Sequence, residues 1–279
     1  MKNMAKRIIS FVLCLAMLVG LMPGFAFGAE AEGTVLDAAI FCSDVHGSTS
    51  DLTSVRGGVA KSGVDYSSIG FVGDTCLTVA NTTSIVQNAL GDTAISVMFS
   101  YASSHDTEDG ADIDENWDYS GEVEGVSEHY LVYTIRETDM QNSSGASSAA
   151  PAFTKWYNGL TDAQKALPIF ILSHRPLHDR RDDNAGAATW YDAISAAAES
   201  SDIVFFWAHN HTGDNSVDQA AYYVAKDGTE TFTVYNGDTV VPNFTYMNAG
   251  YINANNQNPK RLGVATTVQI TADSLIFQD

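Results

Sequence analysis

Positive charge is scarce in this 279-residue chain: 14 Lys and Arg stand against 34 Asp and Glu, a net charge of −20. A surface of that sign repels phosphate backbones and argues against long nucleic acid as a partner. It also keeps an exported protein in solution. Cysteine is rarer still, with three in all. None forms a Cys-x-x-Cys pair, so a structural zinc knuckle has no ligand set. Long apolar runs are missing after the first two dozen residues, which leaves no candidate for a later membrane span. There is no internal repeat.

The one long apolar run, residues 8–21, follows a basic start at Lys2, Lys6 and Arg7 and precedes small residues at Ala26, Gly28, Ala29 and Ala31. That order is the pattern of a secretory signal peptide cut between about residues 26 and 31. The run is shorter than the ~20 residues that span a bilayer. The expectation is therefore a leader over 1–28, one domain over 34–279, and a secreted or extracytoplasmic protein. Loss of the leader removes three positive charges and no negative ones, moving −20 to −23. Cys14 leaves with it. Cys42 and Cys76 remain, either as a disulfide or as two buried thiols.

Five short apolar runs read as strands: 36–42, 69–72, 94–99, 169–172 and 203–207. They lack polar alternation, as parallel strands covered on both faces do. Helical patterns lie between them at 81–90, at 151–160 with Pro151 suited to a first turn, and at 187–200 with Trp190, Ile194 and Ala198 on one face. Strands alternating with helices predict an α/β fold. From about residue 220 the segments 222–224, 231–235, 244–248, 264–270 and 275–277 alternate and predict an antiparallel end region. Residues 106–118 and 141–150 read as loops, the first acidic and the second rich in Ser and Ala.

Each predicted strand runs into a polar cluster at its carboxyl end, where ligands bind in α/β sheets. The clusters are Ser43-Asp44-Val45-His46-Gly47, Gly73-Asp74, Ser104-His105-Asp106, Ser173-His174-Arg175-Pro176 and Ala208-His209-Asn210-His211. A Gly-Asp pair alone is an ordinary turn, and Asp-x-His or His-x-His alone often faces solvent. Together they place five of the seven histidines just after strands, which scatter does not readily do. Mixed carboxylates and imidazoles suit Mn²⁺, Fe or Zn²⁺.

In order and approximate spacing, Asp44-x-His46, Gly73-Asp74, His105-Asp106, His174 and His209-x-His211 resemble the calcineurin-like metallophosphoesterase family. The likeness runs from residue 36 to 211, and Asn248-Ala249-Gly250 is similar to the family's end region. The resemblance implies a four-layer β-sandwich flanked by helices, with two divalent metals at its edge. It implies Asp44, His46 and His211 on one metal, His174 and His209 on the other, and Asp74 bridging. Two metals about 3.5–4 Å apart generate hydroxide and clamp a phosphoryl group. His105 is implied to stabilise developing charge or protonate the leaving oxygen. Arg175 is a candidate phosphate contact, with a salt bridge to a local Asp as its alternative. The implied activity is hydrolysis of a small phosphate mono- or diester.

Two positions depart from the family pattern. Ser103-Ser104-His105-Asp106 stands where the family has Gly-Asn-His-Asp or Gly-Asn-His-Glu, so Ser104 replaces the asparagine that ligates the second metal. Leu77 stands where purple acid phosphatases carry their tyrosine ligand, which argues against that subtype. Ser104 leaves open a second reading: a catalytically degenerate member that binds a metal or ligand at the cell surface. The remaining features read as surface: a solvated acidic loop whose spacing does not fit an EF-hand, a loop carrying His178, Arg180 and Arg181, and two Asn-x-Ser/Thr triplets at Asn81 and Asn142.

Overall fold

The computed structural model describes residues 33–77, 82–102, 106, 118–178, 184–209, 223–226, 228–252 and 265–278. The runs without polar alternation are strands buried on both faces. β1 (Asp37–Cys42), β2 (Ser68–Val72) and β3 (Ser96–Ser100) are parallel neighbours, with β12 (Thr266–Ile270) antiparallel to β1 and β13 (Leu275–Gln278) outside it. A second sheet runs β4 (Gly121–Glu122), β5 (Leu131–Ile135), β6 (Ile169–Ser173), β7 (Ile203–Trp207), β11 (Thr245–Asn248), β8 (Tyr223–Val224). β9 (Phe232–Thr233) and β10 (Thr239–Val240) form a separate hairpin.

The two sheets face each other, and alternate residues of each strand go to opposite cores. Ala39 and Phe41 of β1, Phe170 and Leu172 of β6, and Val204 and Phe206 of β7 fill the space between the sheets. The Phe41 and Phe206 rings stack at 4.1 Å. Gly70 makes room there, since a Cβ would stand 2.8 Å from the Phe41 ring. The other residues face helices: Ala38, Ile40 and Cys42 meet α1 (Thr49–Ser62) and α2 (Thr82–Leu90). Ile169, Ile171, Ile203, Phe205 and Trp207 lie in the core shared with α3 (Glu137–Gln141), α4 (Ser143–Gly159) and α6 (Ala187–Ala198). α5 (Asp162–Lys165) is one turn opened by a capping box from Thr161 to Gln164. The result is helix, sheet, sheet, helix, in agreement with the mixed α/β expectation. Each large side chain buried in this way contributes about 1.5–3 kcal/mol. Val35–Asp279 forms one compact unit, and among the described residues no helix is long and apolar enough to cross a membrane.

One stretch departs from expectation. Residues 141–150 are not a loop: α4 begins at Ser143 and places Pro151 inside the helix rather than in its first turn. Propensity does not call for a helix there, since four Ser, one Asn and one Gly stand beside three Ala and one Gln; the burial of Ala146, Ala150 and Phe153 on one face holds it in place. The end region is antiparallel within itself, as expected: β8 pairs with β11, β9 with β10 and β12 with β13, while β11 also lies parallel to β7, which precedes that region. Of the two readings left open for Cys42 and Cys76, the structure has the pair of buried free thiols. Burial, with Asp44 adding to it, pushes the Cys42 thiol far above its ordinary range, which makes it inert.

Candidate metal centre

The ligand-bearing loops leave the carboxyl ends of parallel strands, and their backbones are unusual. Asp44, His46, Asp74, Cys76 and His209 all have φ between 47° and 72°. That left-handed region is sparsely used by residues other than glycine, although Asn, Asp and His tolerate it best. Here it is held by pairing between the loops after β1 and β2. Asp44 N–H donates to Gly73 O, His46 N–H to Asp74 O and Gly47 N–H to Thr75 O, at 3.2, 3.0 and 2.8 Å. The loop after β11 closes the ring of contacts: Ala249 N–H donates to Trp207 O and Ile252 N–H to Ser43 O. The Ser43 hydroxyl lies against both Asp44 Oδ2 and the Gly250 carbonyl.

This scaffold brings two groups of donors together. Asp74, His174 and His209, all buried, offer one ligand atom each within 4.8 Å of one another, and so do Asp44, His46 and Asp74. Asp74 belongs to both. His174 Nε2 is 3.4 Å from Asp74 Oδ2 and 3.1 Å from His209 Nδ1, and His46 Nε2 is 3.8 Å from Asp44 Oδ1. The other nitrogen of His174, Nδ1, sits 2.8 Å from the carbonyl of Val72. An N–H donated there aims Nε2 at Asp74, so that loss of the Nε2 proton leaves a lone pair directed for a metal. Two carboxylates and three imidazoles, converging and mostly buried, fit a pair of divalent ions.

Gly73 makes that arrangement possible. Its φ is 82°, and a Cβ would fall 2.4–2.6 Å from three atoms of His174. Gly73→Ala should cost roughly 1–3 kcal/mol through backbone strain. By displacing the imidazole it should also weaken metal binding about 10–100-fold. Denaturant unfolding and metal titration of the variant check both, and unchanged metal affinity would mean that the ring's position is not critical.

The site has an electrostatic signature. Burial alone lowers the pKa of His174, but the adjacent Asp74, by charge and contact, together with Asp44 and Glu137, outweighs it and pushes it up to about 10 from 6.5. A raised folded-state pKa stabilises the metal-free protein fully below the unfolded value, and the gain is lost as pH rises through the folded value. The metal-free protein should therefore melt at falling temperature as pH goes from 6.5 to about 10. Metal uptake near pH 8 should release this proton. A flat melting profile, or uptake without proton release, would contradict the charged His174.

Asp106 and Arg175 have structural partners. Asp106 Oδ1 accepts from Thr75 Oγ1 and Cys76 N–H, both at 3.0 Å, and its Oδ2 accepts from Ala102 N–H at 2.9 Å. It pins the loop bearing Asp74 to the end of β3, a role that sequence pattern does not announce. Burial raises its pKa, and the Cys76 and Ala102 amides oppose the rise. Arg175, a candidate phosphate contact by sequence, is buried with its Nε donating to Glu137 Oε1 at 2.7 Å. The partner expected for the alternative was a local acid; the one found is 38 residues away. His178 is no surface residue. It is buried against Trp207 and Tyr246, with Nδ1 2.7 Å from the Tyr246 hydroxyl. Ser104, His105, His211, Arg180, Arg181, Asn81 and all of the acidic stretch but Asp106 and Asp118 lie outside the described residues.

No protein-family model matches the chain, and no curated protein matches it in sequence. Among solved structures it is similar to a purple acid phosphatase from yellow lupin (Lupinus luteus) seeds, at 10% identity and a TM-score of 0.48 over 89% of this chain and 52% of that one. It is also similar to a conserved uncharacterized protein, a predicted phosphoesterase, from Streptococcus pneumoniae, at 11% identity and a TM-score of 0.37 over 86% and 88% of the two chains. An NAD nucleotidase from Haemophilus influenzae gives 10% identity and a TM-score of 0.42 over 87% of this chain and 49% of that one. The chain spans about half the length of the first and third. Likeness at this level assigns no activity or substrate to it.

Proposed function

We propose that this protein is a secreted metal-dependent phosphoesterase that holds two divalent ions and hydrolyses a small phosphate ester. The observation that carries the reading is the pair of donor groups sharing Asp74. Asp44, His46 and Asp74 would hold one ion, with His211 added on the family resemblance. His174, His209 and Asp74 would hold the other. Such ions supply a hydroxide nucleophile at neutral pH and offset the charge of the phosphoryl group. The chain's own residues fix the geometry: the Val72 carbonyl orients His174, and Asp106 anchors the loop that carries Asp74. His105 is assigned the proton for the leaving oxygen.

Elemental analysis after incubation with Mn²⁺ or Zn²⁺, joined to a panel of phosphomonoesters and phosphodiesters, tests the proposal. Two bound ions with turnover of at least one ester class are expected. Metal uptake without turnover would favour the degenerate, binding-only reading, and no uptake would end both. Secretion is tested separately, by N-terminal sequencing of protein recovered from the culture medium; an intact residue 1 would contradict cleavage.

A further inference from the structure

Beside the ligand set lies a buried ion pair without an assigned task. Arg175 follows His174 directly and is 4% exposed; Glu137 is wholly buried, and the Nε to Oε1 distance is 2.7 Å. Glu137 is the first residue of α3, just beyond the end of β5. Its backbone N–H donates to the carbonyl of Tyr101, just past β3. This one residue therefore joins three strand ends: β5 through the chain, β3 through its backbone and β6 through its side chain. Buried ion pairs are poor stabilisers, and apolar replacements of similar volume are often neutral or better. A pair placed next to a ligand therefore points to a need for exact placement.

The β6 loop needs such placement. His174 is held at Nδ1 by the Val72 carbonyl and at its own carbonyl by Ala208 N–H. Those bonds fix the ring and one side of the loop. Arg175 is the next residue, and its grip on Glu137 holds the other side. We propose that Glu137 is a positioning residue for the metal centre: by clamping Arg175 it sets the β6 loop so that His174 Nε2 faces Asp74 and His209. This rests on the metal-centre reading above.

The experiment is calorimetric titration of the metal-free full chain with Mn²⁺, comparing the unmodified protein with Glu137→Gln. His174→Ala identifies which step belongs to the His174–His209 position. Glu137→Gln should weaken that step roughly 10–100-fold, the usual effect of disturbing a ligand's support, and leave the Asp44–His46 step unchanged. Glu137→Leu combined with Arg175→Met leaves no buried charge and keeps the question testable if the single variant does not fold; the same selective loss is expected. Two unmodified steps in either variant overturn the proposal. Equal weakening of both steps with a lower metal-free melting temperature also overturns it, since that marks general destabilisation. An unmodified protein that binds no Mn²⁺ fails the metal-centre reading itself, and with it this one.

Discussion

Asp74→Asn is expected to strip the protein of both metal ions, whereas Asp44→Ala should remove mainly one. Asp74 is the residue shared by the two donor groups. The amide keeps the size of the side chain but loses the negative charge that would hold two cations together. Asparagine is the better probe than alanine for a specific reason. Asp74 has φ 51°, a conformation that Asn tolerates and Ala does not. Asp74→Ala should lose the metals as well, with backbone strain added. Metal content per chain, measured after gel filtration, should fall from about two to near none in Asp74→Asn. A variant that retains one tightly held ion would show that Asp74 belongs to a single site.

His105→Ala should leave metal content intact and lower turnover by roughly 10²–10⁴-fold, the range for loss of a general acid. The motive is its position in sequence, a short loop past the run that becomes β3 and next to Asp106, while the six other candidate ligands would supply the metals without it. The loss should shrink for an ester whose leaving group departs without a proton. Equal losses on good and poor leaving groups would assign His105 to phosphate positioning instead. Metal lost together with activity would make it a ligand.

Much of the scaffold could be read from residue order. β1, β2, β6 and β7 lie within one residue of their expected ends. Strands covered on both faces leave continuous apolar runs, and those runs stop where the chain meets the site. The ligand loops were legible for the same reason, since Asp44, His46, Asp74, His174 and His209 all follow such runs. Helix α1 was not. Only Leu52 is wholly buried in it, and Gly57-Gly58 interrupt its middle, so neither periodicity nor propensity marks it. β5 was also missed, although Leu131–Ile135 is apolar apart from Thr134.

By itself, the sequence determined which residues could serve a metal and that they would gather at one edge of a sheet. Short-range patterning suffices for that, because burial on both faces is written into consecutive residues. Tertiary structure alone decided that Gly73 yields its side-chain space to His174 and that Arg175 turns to Glu137. Those facts concern pairs 101 and 38 residues apart. No local pattern encodes them, since the first depends on how the two sheets face each other and the second on β5 lying beside β6.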